Sequence, residues 1–99
     1  MQLAHAMTLQ RGRSHVAALA DGARGVPAAS AYERVLIELD RLHGDQSPAL
    51  DTDGLTGDRV VLFAVASASI EDLQDHGIGV LDVELLLARL DEAHSLDGS

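Results

Sequence analysis

Five histidines, sixteen carboxylates and seven arginines are the residues of this chain that could do chemistry, and no cysteine accompanies them. Without Cys there is no disulfide, no thiol nucleophile and no thiolate metal site. The histidines stand at positions 5, 15, 43, 76 and 94. None belongs to a His-x-x-x-His or Glu-x-x-His pair, the spacings that set two ligands on one helix face. Asp40 with His43 and Asp91 with His94 come nearest, and each reads as a surface pair. His43 and His76 directly precede Gly44 and Gly77, where a cationic side chain suits a helix C-terminus. The spacing therefore predicts no metal, no cofactor and no catalytic residue.

Three short motifs have the letters of a site without its context. Asp51-Thr52-Asp53-Gly54 looks like part of a calcium loop. Placing Gly54 at loop position 6 puts Ala49 and Val60 at positions 1 and 12, where carboxylates are needed, so the segment reads as an Asp/Gly turn. Asp91-Glu92-Ala93-His94 spells a helicase box, but it ends a Leu-rich helix and no Gly-x-x-x-x-Gly-Lys loop occurs. No Gly-x-Ser-x-Gly is present. Ser67 and Ser69 lie inside an apolar run, where they back-bond to the helix or admit a neighbouring helix closely.

The charge is −9 and uneven. Residues 1–50 hold five Arg and five acids; residues 51–99 hold two Arg and eleven acids, so the second half carries all of it. No lysine occurs. Such a surface argues against direct nucleic-acid binding, which needs cations for the phosphates. It suits solvation of exposed helix faces, or a basic protein partner or a cation.

The elements that must position these residues are helices. Apolar content rests on Leu and Ala, strong helix formers, and Tyr32 and Phe63 are the only aromatics. Four segments are expected within one domain spanning residues 1–99. The first covers residues 3–19 and is weakened at Gly12. The second begins at Pro27 or Ser30, with Ser30 and Glu33 as a capping box, and runs to His43. Its apolar face is Tyr32, Val35, Leu36, Leu39 and Leu42, and Arg34 can pair with Glu38. The third begins at Thr56 or Gly57, holds Asp58 in its first turn, and ends near Asp75. The fourth covers residues 81–94 with Val83, Leu86, Leu87, Leu90 and His94 in one stripe, followed by a loose tail at 95–99.

Residues 60–70 run without a charge. Eleven residues cannot span a bilayer, which takes about 20. Apolar on every side, the run is expected to be buried on every side, as the central helix against which the second and fourth pack. The first helix is the weakest cover. A buried strand at residues 59–66 is the alternative, giving an α/β fold, but no second strand offers to pair with it.

Residues 69–92, from Ser69-Ile70-Glu71-Asp72-Leu73 to Val83-Glu84-Leu85-Leu86, are similar to the middle of acyl or peptidyl carrier proteins. In that family an Asp-Ser-Leu loop opens a helix continuing Val-Glu-Leu, and the Ser carries phosphopantetheine. Here Gly77-Ile78-Gly79-Val80 stands in its place, without the Ser. The cofactor is therefore not expected.

The expectation is a small helical bundle of three to four helices that works as a cytoplasmic interaction or accessory protein. Its partner is a second copy or another protein, met through Val61, Phe63, Val65, Leu81 and Leu85, and no membrane is involved. Two alternatives stand beside it. One is a small enzyme or enzyme subunit using His5, His15, Arg11 or Arg13 with acids of the last two helices. The other is an acidic inhibitor occupying a cationic groove.

Overall fold

The computed structural model describes residues 2–98, the side chain of Asp45 excepted. It contains α1 (Leu3–Asp21), α2 (Val26–His43), α3 (Arg59–Asp72) and α4 (Val80–Asp97). Single 3-10 turns follow α2 at Gly44–Gln46 and α3 at Leu73–His76. Residues 59–66 are helical, so the strand alternative is excluded.

The helices form a ring in which α1 touches α2, α2 touches α4, α4 touches α3 and α3 touches α1. The pairs α1/α4 and α2/α3 lie across the diagonals. The chain therefore makes two antiparallel hairpins, α1–α2 and α3–α4, joined by one long crossover. The crossover is strapped to a polar stripe on α1. Gln10 donates to the Ala49 carbonyl, the Arg13 guanidinium to that of Pro48, and Ser14 Oγ accepts from Asp51 N–H at 2.9 Å. Arg13 also pairs with Asp40 of α2.

Local chemistry sets the helix ends. Asp58 is the N-cap of α3 and accepts from the N–H groups of Val60 and Val61 at 2.9 and 3.4 Å. A carboxylate there satisfies donors that the helix leaves unpaired. α2 starts earlier than expected, at Val26 after Gly25, because Pro27 suits the first turn. Ser30 is consequently interior and exposed rather than a cap. Glu38 pairs with Arg41 and not with Arg34. Gly77, at φ 96°, ends the turn after α3 in a left-handed conformation open to glycine, and Ile78 N–H returns to the Leu73 carbonyl. Asp51-Thr52-Asp53-Gly54 is a turn in which Asp51 accepts from Asp53 N–H.

Three expectations about packing are corrected. The run 60–70 is buried on one stripe only, through Leu62, Ala66, Ser69 and Ile70, and Val60 keeps 72% of its surface exposed. An uncharged sequence does not reveal which side faces the core. α3 is not central; its closest neighbour is α1, and α2 lies diagonally opposite. α1 is continuous through Gly12 and supplies buried Leu9, Val16 and Leu19.

Gly12 is what brings α1 and α3 together. A Cβ at this position would meet Ser69 Cβ at 3.3 Å. The helix-propensity cost of glycine, about 1 kcal/mol, is set against a close approach in which an added Cβ would push Ser69 back by a few tenths of an ångström. α4 continues through Asp97 where a loose tail was expected, because Asp97 is buried and bonded; Ser99 lies outside the described residues. Among the described residues, no helix is long and apolar enough to cross a membrane.

Two substitutions at this seam have opposite outcomes. Gly12→Val overpacks it and should cost about 2–3 kcal/mol. Ser69 Oγ is buried without a hydrogen-bond partner, so Ser69→Ala should be neutral or stabilising by up to about 1 kcal/mol. Urea unfolding midpoints at neutral pH check both.

Candidate functional site

The ring arrangement gathers side chains at its two poles. At one pole lie the end of α1, the start of α2, the start of α3 and the end of α4. Arg59, the first residue of α3, donates there from Nε and Nη2 to Asp97 Oδ2 at 2.8 and 2.7 Å. Its Nη2 also reaches the Leu19 carbonyl at 2.7 Å, satisfying an acceptor that α1 leaves open at its C-terminus. Asp97 Oδ1 accepts from Arg24 N–H at 3.0 Å. Tyr32 O–H, fully buried on α2, lies 3.5 Å from Asp97 Oδ2. All four helices and the α1–α2 turn thus meet on one ion pair. Gly22 makes room for it, since a Cβ there would stand 2.5 Å from Arg59 Nη1.

The electrostatics of the pair follow from its surroundings. Burial pushes the Asp97 carboxyl upward, but the Arg24 N–H and the Arg59 guanidinium outweigh it and hold the group below the usual carboxylate range. Tyr32 is raised by burial and then by the Asp97 charge, so it stays a neutral donor.

At the opposite pole three half-buried histidines converge from three elements. His5 Nε2 of α1 is 3.1 Å from His43 Nε2 of α2, with the rings edge to face. His76, on the turn after α3, stacks on His5 at 5.1 Å between centroids and 6° between planes. His43 Nδ1 lies 2.7 Å from the Leu39 carbonyl. A carbonyl only accepts, so Nδ1 carries a proton, and in the neutral ring His43 Nε2 presents its lone pair. Burial, followed by the neighbouring His43 and His76, lowers the His5 pKa and favours its neutral ring. A cleft of about 370 Å³ opens beside these rings, lined by Gln2, His5, Asp75 and His76. Among the described residues, no three or more His, Cys, Asp or Glu side chains are already arranged around a metal position.

The residues expected at an interface do not form one patch. Phe63 near the start of α3 stacks on His94 near the end of α4, at 4.2 Å between centroids, so the two helices run antiparallel. Val61, Phe63 and Val65 therefore lie toward one pole, while Leu81 and Leu85 lie toward the other. Val61, Leu81 and Leu85 are exposed, at 43%, 80% and 41%; Phe63 and Val65 are half-buried. On α4 the exposed side chains Leu81, Leu85 and Ala88 fall on the side opposite the buried stripe of Val83, Leu86, Leu90 and Ala93, and Leu96 borders a groove against the start of α2.

The groups expected for an enzyme are divided. Arg11 and His15 border an open hollow of about 210 Å³ with Asp51, His5 stands at the histidine pole, and Arg13 is engaged with Asp40 and the crossover. Arg59 and Asp97 were not anticipated as a pair. Their separation of 38 positions gives no periodic signal, and Asp97 lay in the expected tail.

Comparison with known proteins finds no matching family model, no matching curated protein and no matching solved structure. The similarity to carrier proteins is left with its helix pattern alone, and Gly79 is the N-cap of α4.

The depressed carboxyl fixes a pH dependence. Its contribution is present above the unfolded value of about 4 and is lost as pH falls through the lower folded value. Asp97→Asn should lower stability at neutral pH by about 3 kcal/mol, since it leaves Arg59 unpaired. The variant should also lose less stability than wild type between neutral pH and about pH 3. Urea midpoints across that range measure both effects.

Proposed function

We propose that this chain is a small acidic helical interaction protein that associates with a second copy of itself. The observation that carries the reading is the second apolar stripe of α4. Leu81, Leu85 and Ala88 face away from the core, and Leu81 alone leaves 80% of its surface in water. A helix that serves only its own core keeps one apolar stripe and a polar opposite face. On α4 the opposite face carries Leu81, Leu85 and Ala88 beside Glu84, Glu92 and Ser95. Exposed apolar side chains grouped on one helix face, here Leu81, Leu85 and Ala88, mark interaction sites.

Self-association fits a stripe that can meet its own copy about a two-fold axis, where the same residues serve both sides. The exposed Val60 and Val61 of α3 add to the apolar surface available. The acidic second half would oppose a face-to-face approach, so association should strengthen as salt screens that repulsion. A cytoplasmic location belongs to the same reading and is supported by the absence of cysteine.

Sedimentation velocity at micromolar concentration tests the proposal. Wild type should sediment as a dimer, more completely at high salt. The double variant Leu81→Glu, Leu85→Glu should be a monomer with unchanged helical circular dichroism. A wild-type monomer throughout, or a dimer unaffected by the two charges, would overturn the reading.

A further inference from the structure

The histidine pole has a feature that the interaction reading does not use. His5 and His43 come from helices of opposite direction, 38 positions apart, yet their Nε2 atoms are 3.1 Å apart. Only one proton fits between them. The Nδ1–H of His43 is committed to the Leu39 carbonyl at 2.7 Å, so in the neutral ring its Nε2 holds the lone pair. The neutral pair therefore has His5 Nε2–H donating to His43 Nε2.

That arrangement is half of a metal site. Metal-binding histidines are commonly fixed by donating the other ring N–H to a backbone carbonyl or carboxylate, which selects the tautomer and aims the lone pair. His43 is already held in this way. Two nitrogens 3.1 Å apart, each at the usual distance of about 2.0–2.1 Å from an ion, subtend about 100° at the metal, between octahedral and tetrahedral angles. The ion would take the place of the shared proton, and that proton, the single ring N–H of neutral His5, would move to His5 Nδ1. Both rings must then tilt off their shared line, and His5, which borders the open cleft, has room to do so. The cleft admits water to the remaining positions and carries the Asp75 carboxylate and His76 on its wall.

We propose that His5 and His43 form a two-histidine site for a divalent transition metal of the imidazole-preferring class, such as Zn2+ or Ni2+, tying the start of α1 to the end of α2. Copper, nickel and zinc favour imidazole, whereas magnesium and calcium favour oxygen. The site uses none of the side chains of the α4 stripe, and the Leu81→Glu, Leu85→Glu variant, which keeps both histidines, should bind the ion as wild type does.

Thermal unfolding and calorimetric titration of the untagged full chain with Zn2+ and Ni2+ salts test the site. Wild type should bind one ion per chain with micromolar affinity and show a raised Tm, because a ligand bound by the folded state alone stabilises it. His5→Ala and His43→Gln should each weaken binding by about tenfold or more. His15→Ala and His94→Ala should leave it unchanged. Mg2+ should produce no shift. On unmodified protein, Ni2+ should broaden the ring resonances of His5 and His43 before that of His15, which keeps the test open if a variant unfolds. No binding to wild type would overturn the proposal. So would equal binding by the His5 and His43 variants, or earliest broadening at His15.

Discussion

The Arg59 guanidinium has more donors than any single partner can satisfy, and its place at the first turn of α3 lets it serve two. It bonds the Asp97 carboxylate at the end of α4 and the Leu19 carbonyl at the end of α1. Asp97 in turn accepts from Arg24 N–H and faces the Tyr32 hydroxyl. Removing two charges from water is costly unless their bonds are completed inside, and here each group has several partners. A core of Leu, Val, Ile and Ala tolerates small slips of one helix along another. Paired charges whose partners sit on four helices do not, since a shift of one turn would separate them. The pair therefore specifies the register of the bundle, while the apolar stripes supply most of the driving force.

The rest of the packing follows from this pole. With the ends of α1 and α4 held by the start of α3, the helices close as a ring and not around a central element. α1 and α3 approach closely because Gly12 lies against Ser69. The crossover runs beside α1, bonded by Gln10, Arg13 and Ser14, and returns the chain to the pole where Asp58 caps α3. At the far pole His5, His43 and His76 are brought together by the same antiparallel ring. Because α3 and α4 bury one stripe each, Val60 and Val61 of α3 and Leu81 and Leu85 of α4 stay in water, and the exposed side chains of α4 carry the proposal of association.

Helices were legible where one stripe of side chains repeats. Tyr32, Val35 and Leu39 on α2 and Val83, Leu86 and Leu90 on α4 announce both the helix and its buried face. Gly12 was misleading because propensity describes an isolated helix, and here a tertiary approach that needs the missing Cβ overrides it. The run 60–70 announced a helix but not its orientation, since a uniformly apolar segment has no polar side to mark the solvent. Both polar clusters were illegible for one reason: Arg59 with Asp97, and His5 with His43, come from residues 38 positions apart. Local periodicity relates residues on one element, whereas these pairs exist only after the ring has closed.

The claim that the Arg59–Asp97 pair specifies the bundle rests on the two residues acting together. A double-mutant cycle in urea, with Arg59→Met, Asp97→Leu and the combined variant, measures that coupling most directly. The account predicts that each single change is strongly destabilising. The combined variant should recover much of the loss, with an interaction energy of about 2–3 kcal/mol. Additive effects, with an interaction energy near zero, would contradict it.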